Sequence, residues 1–315
     1  MAAGRKGRDI HAIFLLDKPA GLSSNQALQQ VRRLLNARKA GHTGTLDPFA
    51  TGLLPICLGE ASKTAGLIMD GRKSYTATLQ LGSATATGDT EGEVVDRQSV
   101  PAIDLPAIEA AMKNFRGPLN QVPPMFSAIK QDGKPLYELA RQGIEVERKA
   151  RAVEIFRLET VCWNSPTLEF SVICSKGTYI RTLAEELARA LGSCGHLQAL
   201  RRTGAEPFDD RAMYTLDDLV SAVQQNKAGQ LLLPADAGLP DWPVVVLQGD
   251  QVGRFMHGNC IVCTAQVSRV RVHGKLVSGE SHILGLGEIR ATGHLHPLRV
   301  FSPGVSVNPE LPGIS

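Results

Sequence analysis

One carboxylate stands in a stretch whose composition predicts a fixed, irregular loop. The stretch is Gly41-His42-Thr43-Gly44-Thr45-Leu46-Asp47-Pro48-Phe49-Ala50-Thr51-Gly52, with three glycines and one proline in twelve residues. Glycine allows positive φ or a close approach of the backbone to a ligand, and Pro48 disfavours the α region at Asp47. Such a loop can aim a side chain. An unperturbed aspartate, with a pKa of ~3.9, is ionised at neutral pH and can act as a nucleophile without tuning.

A simpler interpretation of Asp47-Pro48 is an ordinary turn or helix start, with the aspartate as cap and the proline in the first turn. A second charged residue, Arg181, has an unusual place in the pattern. Thr178 is predicted to cap a helix with an apolar stripe, ended by Gly192. Arg181 then lies in the first turn, where the positive helix end disfavours a cation. A carboxylate partner is expected, and Glu185 at i, i+4 is the local choice.

Strands and helices alternate around these two charged residues. The apolar run 13–16 predicts a strand. Ser23 or Ser24 can cap a helix over 25–36, and Asp104 can cap one over 104–115. Tyr75, Ala77, Leu79 and Leu81 alternate as one face of a strand. Further strands are predicted at 53–58, 153–160, 168–174 and 196–202, further helices at 60–69, 104–115 and 136–141, and a loop at 81–92.

The last part of the chain differs in composition. Three prolines and one glycine in 233–243 indicate a linker. Short β patterns follow at 269–272, 283–289 and 298–301. A small β domain is therefore predicted after the linker.

Composition excludes several classes of protein. With 315 residues, 43% of them hydrophobic, the chain can form a large domain and a small one. No apolar run approaches the ~20 residues that span a bilayer, and the basic segment 1–8 lacks a signal-peptide core. We expect a cytoplasmic protein without membrane association. The net charge of +3 means that a nucleic-acid partner would need a local basic face.

The six cysteines are expected to be free thiols. Cys260 and Cys263 have CxxC spacing, but no second pair follows, and structural zinc normally requires four ligands. We therefore expect no metal.

The central stretch and its continuation through Leu53-Leu54-Pro55-Ile56-Cys57-Leu58-Gly59-Glu60-Ala61-Ser62-Lys63 resemble the catalytic motif of the TruB-type tRNA pseudouridine synthases. The similarity is long and ungapped and includes charged residues at both ends. It implies that Asp47 is the essential aspartate that isomerises the uridine at position 55 in the tRNA T loop. No cofactor and no protein partner are implied, and a monomer is expected.

The resemblance also implies the architecture. We expect an α+β fold: a pseudouridine synthase catalytic domain over 1–247, with a central, mostly antiparallel sheet flanked by helices, and a PUA-like β-barrel over 248–315. The segment at about 120–150 corresponds to an insertion that grips the T stem-loop. Its charge suits that role, through Lys130, Lys134, Arg141, Arg148 and Lys149. A plain surface excursion is the other interpretation.

Further site residues come from the family pattern. His42 is expected to fill the space left by the flipped base, Tyr75 to stack on the uracil, and Arg181 to pair with Asp47 through a planar, two-pronged contact. Tyr75 is also a candidate to remove the C5 proton. The remaining expected substrate-binding residues are Tyr179, Leu200, Lys18 and Lys63. The sequence departs from the pattern at Ala86, where the family has an aspartate, so no role follows for the acidic residues nearby.

Other functions compete with this interpretation. A nucleosidase-like hydrolase also breaks a glycosidic bond, but it normally needs a second carboxylate with a raised pKa, and the sequence shows no such pair. A non-catalytic tRNA-binding or folding protein would not need Asp47. A guide-RNA-dependent pseudouridine synthase shares the core motif and differs in its requirement for added RNA and protein.

Overall fold

Two large sheets organise the chain in the computed structural model, which describes residues 7–127, 129–131, 133–275 and 281–302. The helices are α1 (Ser24–Leu34), α2 (Ala65–Met69), α3 (Leu105–Lys113), α4 (Leu136–Arg141), α5 (Ile180–Ala190), α6 (Leu216–Gln224) and α7 (Asp250–Met256), with 3-10 turns at Gly59–Lys63 and Ala228–Leu231.

The strands, in chain order, are β1 (Ala12–Lys18), β2 (Ala40–His42), β3 (Thr51–Leu58), β4 (Lys73–Leu81), β5 (Ser83–Thr85), β6 (Val94–Arg97), β7 (Gly117–Gln121), β8 (Lys130–Gln131), β9 (Lys134–Pro135), β10 (Arg151–Asn164), β11 (Thr167–Cys174), β12 (Gly195–Ala205), β13 (Leu232–Pro234), β14 (Val244–Leu247), β15 (Ile261–Val262), β16 (Ser268–Lys275), β17 (Ser281–Arg290) and β18 (His294–Val300).

The first sheet has nine strands in the order β13-β1-β3-β12-β4-β11-β10-β7, with β2 paired to β3. Its pairings are antiparallel except β12 with β3. Strand β3 is buried along nearly all of its length, because the sheet is covered on both faces at its centre, and β4 alternates as its sequence predicts. The expected α+β class and mostly antiparallel central sheet are confirmed.

The second sheet has five strands in the order β14-β16-β17-β18-β15. It is a curled sheet consistent with the expected PUA-like domain. Strand β14 (Val244–Leu247) pairs with β16, so it belongs to this sheet although the predicted domain boundary falls after it. That boundary itself stays a prediction.

Segment 233–243 is not the free linker that its prolines indicate. It begins within β13, which pairs with β1. Ala235 and Leu239 are then buried at 0% and 6% exposure, in a cluster that also contains Ile13 and Phe301. Pro240 and Pro243 are exposed, but 235–239 is largely buried, and the two sheets share one apolar cluster.

The helix predictions depend on caps, and two of the three cap predictions are confirmed. Ser23 accepts a hydrogen bond from the Gln26 amide at 3.2 Å and Asp104 accepts one from the Ala107 amide at 2.9 Å. The prediction for Thr178 is wrong. Tyr179 is the cap residue of α5, and the Thr178 hydroxyl donates instead to the Ser175 carbonyl at 2.9 Å.

The segment predicted as a loop at 81–92 contains strand β5, which pairs with β6. Among the described residues, no helix is both long and apolar enough to cross a membrane. The basic residues Arg5 and Lys6, and the side chain of Lys130, lie outside the part of the chain that the structure describes.

Candidate active site

Asp47 lies on the irregular loop between β2 and β3, and buried polar groups hold the loop in place. Ser24, at the start of α1, uses its hydroxyl twice: it accepts from the Leu46 amide at 2.7 Å and donates to the Leu46 carbonyl at 3.0 Å. The loop ends at Gly52, whose φ of +98° and close packing exclude a side chain. A Cβ there would lie 2.2 Å from the Arg202 carbonyl oxygen.

Lys18 also holds the Asp47 loop in place. Its ammonium donates to the carbonyls of Leu22 at 2.6 Å and Pro48 at 3.2 Å, and the residue is 0% exposed. Desolvation lowers the pKa of Lys18 to about 8, against the opposing effect of Asp47. The family pattern predicts a substrate-binding lysine at this position. At 0% exposure Lys18 presents no surface to a substrate, and its ammonium instead holds the Asp47 loop.

Arg181 and Asp47 form an ion pair, with 3.0 Å between Arg181 Nε and Asp47 Oδ2. The arginine side chain is 4% exposed and the aspartate side chain 34%. The other guanidinium nitrogens do not reach Asp47: Nη1 donates to the Thr87 carbonyl and Nη2 to the Phe126 carbonyl, each at 2.7 Å. The pairing with Asp47 is present, but the two-pronged contact is not. Each nitrogen of Arg181 instead serves a different partner.

Asp89 is a second carboxylate on Arg181, which the sequence analysis missed. It is 2% exposed, and its Oδ2 lies 3.6 Å from Arg181 Nη1. Its Oδ1 accepts from the Thr87 hydroxyl and, at 3.0 Å, from the Glu91 amide. These partners all donate to Asp89, which suits a structural carboxylate rather than a proton donor. Because the sequence departs from the family pattern at Ala86, no role is predicted for the acidic residues of this segment. Only burial distinguishes Asp89 from its acidic neighbours.

The charge state of Asp47 is shaped by its surroundings, contrary to the expectation of an untuned carboxylate. Burial raises the pKa of Asp47, the Arg181 guanidinium opposes this rise, and the Asp89 carboxylate adds to it. The Arg181 ion pair therefore favours the ionised form of Asp47, against the burial that favours the neutral acid.

Tyr75 lies on β4 and Leu200 on β12, two neighbouring strands of the first sheet. Tyr75 pairs with Arg202 and Ala77 with Leu200 in the antiparallel register. Leu200 is 7% exposed and belongs to the main apolar cluster, against which Tyr75 packs. Burial raises the pKa of Tyr75, although a hydrogen bond from Arg202 opposes it. A raised pKa disfavours the tyrosinate form and so counts against Tyr75 as the base that removes the C5 proton.

Arg202 is a further residue that sequence reasoning missed. It is 1% exposed, and its guanidinium donates to the Leu53 carbonyl at 2.6 Å and the Gly44 carbonyl at 3.2 Å. These carbonyls flank the Asp47 loop on both sides. A basic residue next to another arginine in a strand carries no sequence signal that separates it from a surface charge.

The other expected residues divide into two groups. The Asp47 charge acts on the pKa of Tyr75, Tyr179 and Lys18, so these three groups lie within electrostatic range of the aspartate. His42 ends β2, and burial together with Arg202 lowers its pKa, so the imidazole is neutral. Its Nδ1 is buried without a hydrogen-bond partner among the described residues.

Lys63 makes its contacts away from the residues around Asp47. Its ammonium donates to the Val300 carbonyl at 2.7 Å, pairs with Glu60 at 2.5 Å and lies 5.7 Å from the centre of the Phe301 ring. These contacts join the catalytic motif to the second sheet.

Cys260, the first cysteine of the CxxC pair, has a histidine neighbour. Cys260 Sγ lies 3.0 Å from His296 Nδ1, and among the described residues no three His, Cys, Asp or Glu side chains are grouped as metal ligands.

Known structures share this fold. A chain of a Cbf5-Nop10-Gar1 complex covers 96% of this chain and 88% of its own length with a TM-score of 0.69 and 24% identity. A chain of an archaeal box H/ACA Nop10-Cbf5 complex covers 99% and 95% with a TM-score of 0.68 and 22% identity. At these identities the likeness establishes the fold, and the class is that of the TruB/Cbf5 pseudouridine synthase fold.

Sequence comparison identifies the family. Residues 32–180 match the model of the TruB family pseudouridylate synthase N-terminal domain, residues 181–240 that of the tRNA pseudouridylate synthase B C-terminal domain, and residues 243–301 that of the pseudouridine synthase II TruB C-terminal domain. The tRNA pseudouridine synthase B of Chromobacterium violaceum is 45% identical over 94% of this chain and 96% of its own. That of Chromohalobacter salexigens is 44% identical over 96% and 98%. The chain belongs to the TruB family of pseudouridine synthases.

Proposed function

We propose that this protein isomerises the uridine at position 55 of the tRNA T loop to pseudouridine as a stand-alone enzyme. The names of its full-length relatives support tRNA and this reaction as the substrate and the chemistry. The observation that carries the proposal is the Asp47–Arg181 ion pair, at 3.0 Å, on a loop held by Lys18 and Ser24. The one-third exposure of the Asp47 side chain leaves it open to a nucleotide.

The reaction breaks the N1–C1′ bond of the uridine and forms a C5–C1′ bond. The proton on C5 is lost and N1 becomes protonated, so the composition of the RNA is unchanged and no cofactor is required. Because the reacting atoms are hidden in a folded loop, the nucleotide is flipped out, at a cost of a few kcal/mol. Tyr75 then stacks on the base, and the neutral His42 fills the vacated space.

Asp47 carries the chemistry as an ionised carboxylate. The Arg181 guanidinium holds this charge and its direction, since the arginine is itself fixed by Asp89 and by the carbonyls of Thr87 and Phe126. Asp47 attacks the flipped nucleotide or removes a ribose proton. Both routes use the same placed and charged oxygen.

The partner surfaces extend beyond the site. The insertion at 120–150 supplies cations to the T stem-loop, and the second sheet adds phosphate contacts without reaching a reacting atom. We propose that the protein acts as a cytoplasmic monomer and needs no partner protein.

The test is to incubate the purified protein with an unmodified tRNA transcript and map pseudouridine by position. Modification at position 55 alone supports the proposal. Asp47→Asn keeps the shape of the side chain without its charge, so it should abolish turnover and leave tRNA affinity little changed. The substitution should raise the activation free energy by more than about 1.4 kcal/mol, which is a factor of ten in rate. Turnover above about a tenth of wild type would contradict the assigned role.

The competing functions give different results in the same assay. Release of free uracil indicates a hydrolase. Tight tRNA binding without pseudouridine indicates a binding or folding protein. Activity that appears only after guide RNA and further proteins are added indicates a guided enzyme.

A further inference from the structure

A buried glutamine, outside the family pattern used above, holds the backbone of an active-site residue. Gln121 is the last residue of β7 and is 3% exposed. Its side-chain oxygen accepts from the Tyr179 amide at 2.7 Å, and its side-chain nitrogen donates to the Tyr179 carbonyl at 3.0 Å. One amide group therefore binds both backbone polar groups of a single residue 58 positions away.

The geometry requires this residue type. Only Asn and Gln combine an acceptor oxygen and a donor nitrogen in one flat group at neutral pH. Asparagine has one methylene fewer, which shortens its reach. The Tyr179 carbonyl also accepts from the Leu183 amide at 3.1 Å, so both of its lone pairs are used. Without Gln121 the Tyr179 amide would lose this acceptor, and the Tyr179 carbonyl would keep only the Leu183 amide.

Tyr179 lies where its backbone direction controls the site. It is the cap residue of α5 and makes no side-chain capping bond, and the Gln121 oxygen satisfies one free amide at the helix start, that of Tyr179 itself. Arg181 follows two residues later and pairs with Asp47. A rotation of the Tyr179 peptide would move both the tyrosine ring and the guanidinium.

The same stretch of chain makes a second contact with the start of α5, this time through Arg181. Five residues after Gln121, the Phe126 carbonyl accepts from Arg181 Nη2 at 2.7 Å. The base of the insertion is thus joined to the start of α5 at two points, one through backbone groups and one through the arginine itself.

We propose that Gln121 is a positioning residue for the isomerisation: its amide fixes the Tyr179 backbone and so aims Tyr179 and Arg181 at the Asp47 carboxylate. This inference rests on the proposed function. Gln121 touches neither Asp47 nor a reacting atom, so its loss should slow the chemical step and leave tRNA binding unchanged.

The first measurement does not depend on activity. The chain has four tyrosines, so labelling with 15N-tyrosine gives four backbone amide signals, and Tyr179→Phe identifies that of Tyr179. In Gln121→Met, which keeps the length of the side chain without its polar atoms, this signal should shift upfield and its proton should exchange faster with solvent. An unmoved signal would mean that the contact is absent in solution and would overturn the inference.

The second measurement is the single-turnover rate with excess enzyme, together with tRNA affinity. Gln121→Met should lower the rate at least about tenfold, because small misplacements of catalytic groups have effects of this order. The dissociation constant should stay unchanged. The matched control is Gln80→Met, which removes a half-buried amide from β4 that donates to the Leu81 carbonyl at 2.8 Å. It should leave the rate unchanged.

A rate near wild type in Gln121→Met would overturn the inference, as would an equal loss in Gln80→Met or a loss confined to tRNA binding. If Gln121→Met does not fold, Gln121→Glu keeps the acceptor for the Tyr179 amide and lacks the donor at neutral pH. It should then show a smaller but measurable loss of rate, and full activity would overturn the inference. A wild-type protein that does not isomerise uridine refutes the proposed function, while the NMR measurement still tests the contact.

Discussion

Replacing Arg181 by lysine separates charge from geometry at Asp47, the proposed catalytic carboxylate. The guanidinium nitrogens serve Asp47, Asp89 and the carbonyls of Thr87 and Phe126, in directions set by the flat group. A lysine ammonium offers three donors from one point and ends short of the outer partners. Arg181→Lys should therefore keep a positive charge near Asp47 and lose the direction of the carboxylate.

The size of the effect follows from the hydrogen bonds that a lysine cannot form. A hydrogen bond to a charged group contributes about 1.5–3 kcal/mol, and at about 1.36 kcal/mol per factor of ten its loss in the transition state slows the reaction about 10- to 160-fold. Each buried carbonyl left without its donor costs a further 1–3 kcal/mol or so of folding free energy. Arg181→Lys should thus be slow in chemistry and also less stable than wild type.

The assay is the single-turnover release of tritium from C5-labelled uridine in a tRNA transcript, with excess enzyme, at a temperature where each variant is folded by circular dichroism. Arg201→Lys is the matched control. Arg201 is next to Arg202 in strand β12. It makes a true two-pronged contact with Asp17, through hydrogen bonds of 2.9 Å and 2.7 Å. Its substitution should leave the chemical rate unchanged.

A rate for Arg181→Lys within about threefold of wild type, or about 0.6 kcal/mol, would refute the reasoning. Arg181 would then supply charge alone, and the contacts to Thr87 and Phe126 would have no part in catalysis. A loss of similar size in Arg201→Lys would show that the assay reports a general effect of replacing an arginine paired with a carboxylate.

Three further predictions follow from the site and its supports. Because the reaction needs the Asp47 carboxylate and its pKa is raised, the single-turnover rate should fall with decreasing pH at a midpoint above ~3.9. Arg181→Met should move that midpoint to higher pH. Lys63→Met should lower the melting temperature and leave the chemical rate unchanged, since its ammonium binds the Val300 carbonyl; a slower chemical step would place Lys63 at the substrate. Gly52→Ala should cost about 3 kcal/mol or more in urea unfolding, because positive φ and a 2.2 Å contact coincide. Gly66→Ala, in open space, is its control.

Local patterns in the sequence determined most elements of the fold. Period-two alternation predicts β4, and capping residues predict the starts of α1 and α3, because these signals arise between residues that are close neighbours along the chain. The dense glycine and proline pattern around Asp47 likewise predicts an irregular loop, since it acts on the backbone of its own segment.

In two segments, tertiary contacts outweigh the structure that the local sequence pattern predicts. Thr178 has a suitable side chain for a cap, but its hydroxyl binds Ser175 and the Gln121 amide binds the backbone of Tyr179 instead. The prolines of 233–243 indicate a linker, but Ala235 and Leu239 enter an apolar cluster shared by both sheets. Burial of apolar area outweighs the local preference in that segment.

The sequence by itself determined that a carboxylate, an arginine and two tyrosines of the right kind are present. Only the tertiary structure decided how they are held. Asp89 is ninety-two positions before Arg181, and Arg202 reaches the Leu53 carbonyl across 149 positions. The order of strands in the sheet brings these residues together, and that order depends on the burial of whole faces at once. No short window of sequence contains this information, which is why local patterns predict a role for Asp47 and miss Asp89 and Arg202.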